Sequence, residues 1–295
     1  MSEIDSTKII LNNECLEVEI SNPGAFYKGS RFDWNGFIMQ VTLDGTHTFC
    51  VPESLEPGKG TGGEGLCGEF GIEEPIGYDE TPVDHYFHKI GVGLLKKTDM
   101  LPYDFFRSYE VIHQSSNIIA NKETVSFSTS TSNQNGYTYE YKKSISIQGN
   151  NLKISYFLYN SGTKRISTTE YCHNFIGIDN QKVDSSYSLK LPCELLMQNV
   201  VGEIEAEDKV ITWPDTVMDK QFYCQIQGYD SNEKPSWEIY NSKTGVGVRE
   251  IDNFPVCKFA LWGYRHVISP ETFIKIELEP GQTKTWTRQY EFFIK

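Results

Sequence analysis

A predominantly β fold is what this chain of 295 residues predicts, on three observations. Ser, Thr, Ile, Tyr and Val alternate with period two in stretch after stretch, the signature of half-buried strands. Aromatic residues are abundant, with 17 Tyr and 17 Phe. Runs rich in Ala and Leu are nearly absent, and no window reads as a long amphipathic helix. A single all-β domain over 1–295 fits, because sandwiches of this length commonly form one unit.

Ile4–Asn22 alternates weakly and reads as the opening strands, closed by a turn at Asn22-Pro23-Gly24-Ala25. Tyr27–Gly36 then leads into a strand over Phe37–Leu43, with Asn35-Gly36 as the turn pair of a hairpin. Arg31 in this segment is a candidate for a buried ion pair. Pro57–Tyr78 holds eight of the 24 glycines. Such a stretch is a flexible surface loop, or one whose backbone must approach a ligand closely. No Gly-Lys-Ser/Thr follows it, so it is not a phosphate loop. His85 and His88 lie three apart with no third ligand motif, and no metal site is expected there.

Phe105–Tyr159 reads as a meander of strands at Ser108–His113, Thr124–Ser130, Tyr137–Gln148 and Leu152–Tyr159. After the segment Ile166–Asp179, the pattern continues at Ser188–Pro192, Gly202–Asp208, Phe222–Gln227, Trp237–Tyr240 and Val246–Arg249. Phe273–Leu278 and a closing strand end the chain.

The formal net charge is −13. A chain this acidic is repelled by phosphate backbones and anionic lipid, so nucleic acid and membrane surfaces are excluded as partners and a neutral small molecule is compatible. No basic, then apolar leader occupies Met1–Asn13, and no apolar run is long enough to span a bilayer. The seven cysteines are dispersed, odd in number and form no C-x-x-C pair. Reduced thiols in a cytoplasmic protein are expected.

Ile166–Asp179 (I-S-T-T-E-Y-C-H-N-F-I-G-I-D) organises the rest. Ile166, Thr168, Glu170 and Cys172 fall on one face, and Tyr171, His173 and Phe175 on the other. An imidazole between two aromatic rings is a plausible proton donor; by residue type alone a core or surface histidine with one hydrogen-bond partner is the better reading. The segment Cys172-His173-Asn174-Phe175-Ile176-Gly177-Ile178 resembles the catalytic-acid strand of the aldose 1-epimerase (galactose mutarotase-like) superfamily. The early Gly29-Ser30-Arg31-Phe32-Asp33 stretch, the closing turn Pro280-Gly281-Gln282-Thr283 and Tyr290-Glu291-Phe292 are similar to that superfamily in the same order. The usual Asn before the His is replaced here, so the likeness is to a divergent member, not to the galactose-acting type.

The resemblance implies a large twisted antiparallel β-sandwich with a sugar bound across one concave sheet. It implies His173 as the acid; Leu261-Trp262-Gly263-Tyr264 stands where the family carries its glutamate, and Glu271, in a loop after Pro270, is the remaining candidate for the base or else an ordinary exposed loop glutamate. It further implies Arg31, Glu69, His88 and Lys89 as substrate contacts, and one or two of Trp34, Trp213, Trp237, Trp262 and Trp286 against the sugar's apolar face. Acid and base serve the ring oxygen and O1, so both should face one surface across a gap wide enough for a pyranose. Interconverting α and β anomers of a free sugar moves only protons, so no cofactor or metal is called for. A small-molecule carbohydrate is the expected partner, and a monomer or weak dimer the expected state. A carbohydrate-binding or accessory protein without catalysis, and a hexose-phosphate epimerase, are the alternatives on the same fold.

Overall fold

The computed structural model describes residues 7–215, 220–229 and 236–295; Ile4–Ser6 of the expected opening strands lie outside them. Among the described residues there is no α-helix, and the one helical element is the three-residue 3₁₀ turn Ile178–Asn180. Two antiparallel ten-stranded sheets carry the fold.

The first sheet runs Lys8–Asn12, Leu16–Ser21, Phe37–Leu43, Leu66–Phe70, Ile166–Asn174, Val267–Leu278, Lys258–Tyr264, Phe222–Gln227, Leu196–Val201, with His47–Thr48 attached to Phe37–Leu43. The second runs Glu205–Glu207, Val210–Thr212, Tyr187–Lys190, Trp237–Asn241, Val246–Asp252, Thr283–Ile294, Asn151–Asn160, Tyr139–Gln148, Thr124–Ser130, Asn117–Ala120. Side chains of both sheets interdigitate in one core: Phe70 meets Tyr141 and Trp286 at 5.4 and 6.1 Å, and Phe49 meets Phe292 at 4.7 Å.

Ile166, Thr168, Glu170 and Cys172 turn into that interior, as the alternation predicts. Glu170 is tolerated there because Arg288 donates to it at 2.9 Å and Trp286 at 3.0 Å. Arg288 also donates to Glu250 at 3.1 Å, and Trp237 donates to the same carboxylate. A buried charge is kept only when it is paired and hydrogen-bonded.

Tyr171, His173 and Phe175 turn to the opposite face. Loops and a three-stranded sheet (Tyr86–Lys89, Gly93–Lys96, Val111–His113) cover a second apolar cluster there, around Phe32, Phe37, Phe87 and Phe175.

Three expectations need correction. Tyr27–Gly36 is not a hairpin: only Phe37–Leu43 is a strand, and it pairs with Leu16–Ser21. The segment before it is a loop pinned by the Tyr27 hydroxyl, which accepts the N–H groups of Arg31 and Phe32 at 3.1 Å each. Pro57–Tyr78 is not one loop, because its centre, Leu66–Phe70, is an interior strand of the first sheet. Gly65 permits that entry, at φ +62 and with a Cβ position only 2.1 Å from the Ile38 carbonyl oxygen. Glu271 lies within the twelve-residue strand Val267–Leu278, not in a loop.

Candidate functional site

The site is built on a cross-strand pair. Tyr171 stands opposite Phe273, and the bridge between Ile176 and Ile268 keeps the same register, which sets His173 opposite Glu271 on one face. Ile268 gives both its N–H and its C=O to Ile176, so the next residue aimed at the His173 strand is Pro270, which has no N–H. The ladder lapses there and Asn174 bridges it with its own groups. Its backbone N–H donates to Ser269 Oγ at 3.0 Å, and its Nδ2 donates to the Pro270 carbonyl at 2.7 Å. The Tyr290 hydroxyl donates to Asn174 Oδ1 at 2.9 Å and ties the strand end to the core.

Strand alternation sets Ser269 on the Glu271 face, beside the imidazole. Ser269 Oγ is 2.7 Å from His173 Nδ1 and donates to Glu271 Oε1 at 3.1 Å, and that carboxylate oxygen is 3.2 Å from His173 Nε2. Phe175 stacks on the imidazole at 4.0 Å, and Trp262 meets it edge-on at 5.2 Å. Above this floor lies a cavity of about 830 Å³, walled by Tyr171, Tyr223, Trp262, Tyr264 and Phe273. Its size and its aromatic lining with a few convergent polar groups suit a small organic ligand.

Burial disfavours charge on both members of the pair. It drives the His173 imidazole well below its ordinary value, and the positive field of Arg31 adds to this. It pushes the Glu271 carboxyl up to about 8, against the opposing pull of Arg31 and the Ser269 hydrogen bond. Burial thus biases the imidazole towards its neutral form and the carboxyl towards its protonated form. Both directions favour the uncharged forms, a carboxyl that holds a proton and an imidazole with one bare nitrogen. No pyranose-wide gap separates the two, since neighbouring positions on paired strands cannot lie that far apart.

Of the other expected contacts, Arg31 reaches the cavity. Its guanidinium lies between Phe32 and Phe105, and it donates to Glu69 at 2.8 Å, Thr61 at 2.9 Å and Tyr171 at 2.9 Å. Glu69, His88 and Lys89 are not on the cavity wall. Glu69 is wholly buried, with Lys89 Nζ 3.1 Å from its second oxygen. Lys89 also donates to the Gly71 carbonyl. Strand alternation turns His88 away from Lys89 and into the interior, against Tyr139. Of the five tryptophans, Trp262 lines the cavity; Trp213, Trp237 and Trp286 are in the sandwich core and Trp34 in the second cluster.

Three solved structures bear on the fold. A galactose mutarotase-like protein from Lactobacillus casei ATCC 334 superposes with a TM-score of 0.63 at 11% identity, over 97% of this chain and 100% of that one. A candidate aldose 1-epimerase from Escherichia coli K12 gives 0.61 at 11%, over 98% and 99%. An aldose epimerase homologue from C. elegans gives 0.51 at 11%, over 97% and 99%. The fold is the galactose mutarotase-like β-sandwich. No protein-family model and no curated protein sequence matches the chain.

On this galactose mutarotase-like sandwich, Tyr171 lines the cavity and Ser269 contacts His173, two positions that the sequence did not single out. A signal for Ser269 was present: in Ser269-Pro270-Glu271 the first and third residues share a face if the segment is a strand. Tyr171 carried the same signal, two residues before His173. Among the described residues no cluster of His, Cys, Asp and Glu is arranged to hold a metal, and no helix is long and apolar enough to cross a membrane.

Proposed function

We propose that the protein is an aldose 1-epimerase-like isomerase, which interconverts the α and β anomers of a free sugar held in the cavity above His173 and Glu271. The observation that carries this reading is a carboxyl and an imidazole adjacent at 3.2 Å on the floor of a cavity of about 830 Å³, with burial favouring the uncharged form of each. The ring oxygen and O1 of an aldose are both bonded to C1, so an adjacent donor and acceptor match two adjacent atoms. Glu271 protonates the ring oxygen as its bond to C1 breaks, and His173 Nε2 takes the proton of the O1 hydroxyl. Rotation about C1–C2 and closure with the reverse transfers give the other anomer. Each positioned proton transfer is typically worth about 10²–10⁴-fold. Only protons move, so the reading calls for no cofactor.

A second reading, carbohydrate binding without catalysis, is favoured by one observation: Glu69, His88 and Lys89 are withdrawn from the cavity, which leaves fewer polar groups to grip a reacting sugar. A hexose-phosphate epimerase finds little support. Arg31 is spent on Glu69, Thr61 and Tyr171, and Lys89 on Glu69 and Gly71, so a phosphate would have to be met by Lys59, Lys258 and Arg265 of the cavity wall. All seven cysteines are unpaired, and we take the chain as one domain working in a reducing compartment.

Proton NMR of freshly dissolved single anomers, across a panel of free aldoses, is the test. Conversion of at least one aldose well above the protein-free rate supports the isomerase. Binding without acceleration leaves the second reading in place, and neither binding nor acceleration sinks both.

A further inference from the structure

We infer that Ser269 relays a proton between His173 and Glu271, so that the pair is reset inside the site and never left as two charges. The inference rests on the reading of the cavity as an anomer-interconverting site. Ser269 is wholly buried. Its hydroxyl offers one hydrogen and two lone pairs. The Asn174 N–H, 3.0 Å away, can only donate and claims one lone pair. The remaining hydrogen and lone pair must serve His173 Nδ1 at 2.7 Å and Glu271 Oε1 at 3.1 Å.

Two neutral arrangements satisfy this geometry with no proton held between Oε1 and Nε2. In the first the hydroxyl donates to Oε1, Nδ1 carries its hydrogen, Nε2 is bare, and the carboxyl proton sits on Oε2. In the second the hydroxyl donates to Nδ1, Oε1 carries the carboxyl proton, and Nε2 carries the imidazole hydrogen. Ring opening converts one into the other. Oε2 gives its proton to the ring oxygen as the C1–O bond breaks, and the O1 hydroxyl gives its proton to Nε2 as the aldehyde forms. The Nδ1 hydrogen passes to Ser269 Oγ, and the Oγ hydrogen passes to Oε1. Closure runs the same transfers backwards, with Nε2–H protonating the aldehyde oxygen and Oε2 receiving the proton of the former ring oxygen. Protons and charge balance in both directions. Without the hydroxyl, opening would leave an imidazolium beside a carboxylate in a site whose burial disfavours both. Ser269 acts through the pair and touches no reacting atom, so it is a positioning residue.

The test compares Ser269→Ala, which removes the hydroxyl, with Ser269→Thr, which keeps it. The expected result for Ser269→Ala is a fall in kcat of about 10²-fold with KM near the wild-type value. In mixed light and heavy water, wild-type kcat should depend on deuterium content along a curve, because several protons move together. In Ser269→Ala the plot should straighten, and kcat above the protein-free rate should rise with added imidazole buffer. Ser269→Thr should restore the curvature. An unchanged curve in Ser269→Ala, or a loss of kcat with no response to buffer, would overturn the relay. ¹⁵N shifts of the His173 ring provide a readout independent of turnover. They should report both ring tautomers in the wild type and one in Ser269→Ala; a single, identical tautomer in both would also overturn it. A wild type that accelerates no aldose defeats the proposed function instead, and the ring shifts still decide whether the hydroxyl couples the pair.

Discussion

Glu69 and Glu271 make an instructive comparison. Both are buried, and they sit on the two strands that flank Ile166–Asn174, Glu69 opposite Tyr171 and Glu271 in register with His173. Burial acts on both in the same direction, towards the neutral acid. Around Glu69 it is overcome: Lys89 lies at 3.1 Å and Arg31 at 2.8 Å, and the Tyr171 hydroxyl donates at 2.7 Å. These partners hold its carboxyl below the ordinary range. Around Glu271 burial wins. Among the described residues no Lys or Arg comes within ion-pair distance of it, and its neighbours are the Ser269 hydroxyl and the His173 ring. One carboxylate is a fixed charge that braces the wall through Arg31; the other is biased by burial towards its protonated form. Burial alone does not make a reactive carboxyl. A missing counter-charge does.

The comparison can be broken most directly at Glu69. Glu69→Ala leaves Lys89 and Arg31 buried without their carboxylate, and breaking a buried pair costs about 3–5 kcal/mol. The urea midpoint should fall accordingly; an unchanged midpoint would show that Glu69 is not the structural member of the two.

The His173 side needs activity as its measure. His173→Asn should lower catalysed mutarotation by about 10²–10⁴-fold while the thermal midpoint hardly moves. Full activity would end the proposed role, whereas loss of folding would make His173 a core residue.

A pH series sharpens the contrast between the carboxyls. Glu271 is raised, so the folded form keeps a proton that the unfolded chain releases. Its stabilising contribution is complete below the unfolded value of 4.5 and is lost as pH rises to about 8. Glu69 has the opposite sign: its contribution is present above the unfolded value and is lost as pH falls through the depressed folded one. His173, lowered by burial, loses stability towards acid pH. The difference between wild type and Glu271→Gln therefore isolates the Glu271 effect. It should change by on the order of a few kcal/mol across that window, and a flat difference would remove the case for a protonated Glu271.

The smallest effect belongs to the wall. Trp262→Ala removes an aromatic surface beside the imidazole, and contacts of this kind are worth about 0.5–1.5 kcal/mol. KM should rise several-fold with kcat less affected; an unchanged KM would take the sugar off this wall.

Much of the fold was legible in the chain because period-two alternation is a local property. Thr124–Ser130 and Phe222–Gln227 form with the bounds their alternation predicts, and His173 lies on the face assigned to it. The strands Asn117–Ala120 and Leu196–Val201 were not legible: both are exposed edge strands with little contrast between faces. Glu271 looked like a loop residue because proline normally interrupts a strand, yet here Asn174 and Ser269 supply the bonds that Pro270 cannot.

By itself, then, the sequence determined the all-β architecture, the face carrying His173 and the order of elements that resembles the mutarotase-like proteins. Only the tertiary structure decided which glutamate meets the imidazole, which one meets Lys89 and Arg31, and which of the two burial biases towards its protonated form. Those outcomes depend on register between strands about a hundred residues apart and on the charges that register brings within reach. Strand periodicity fixes where a side chain points, but nothing within one strand fixes what it will face.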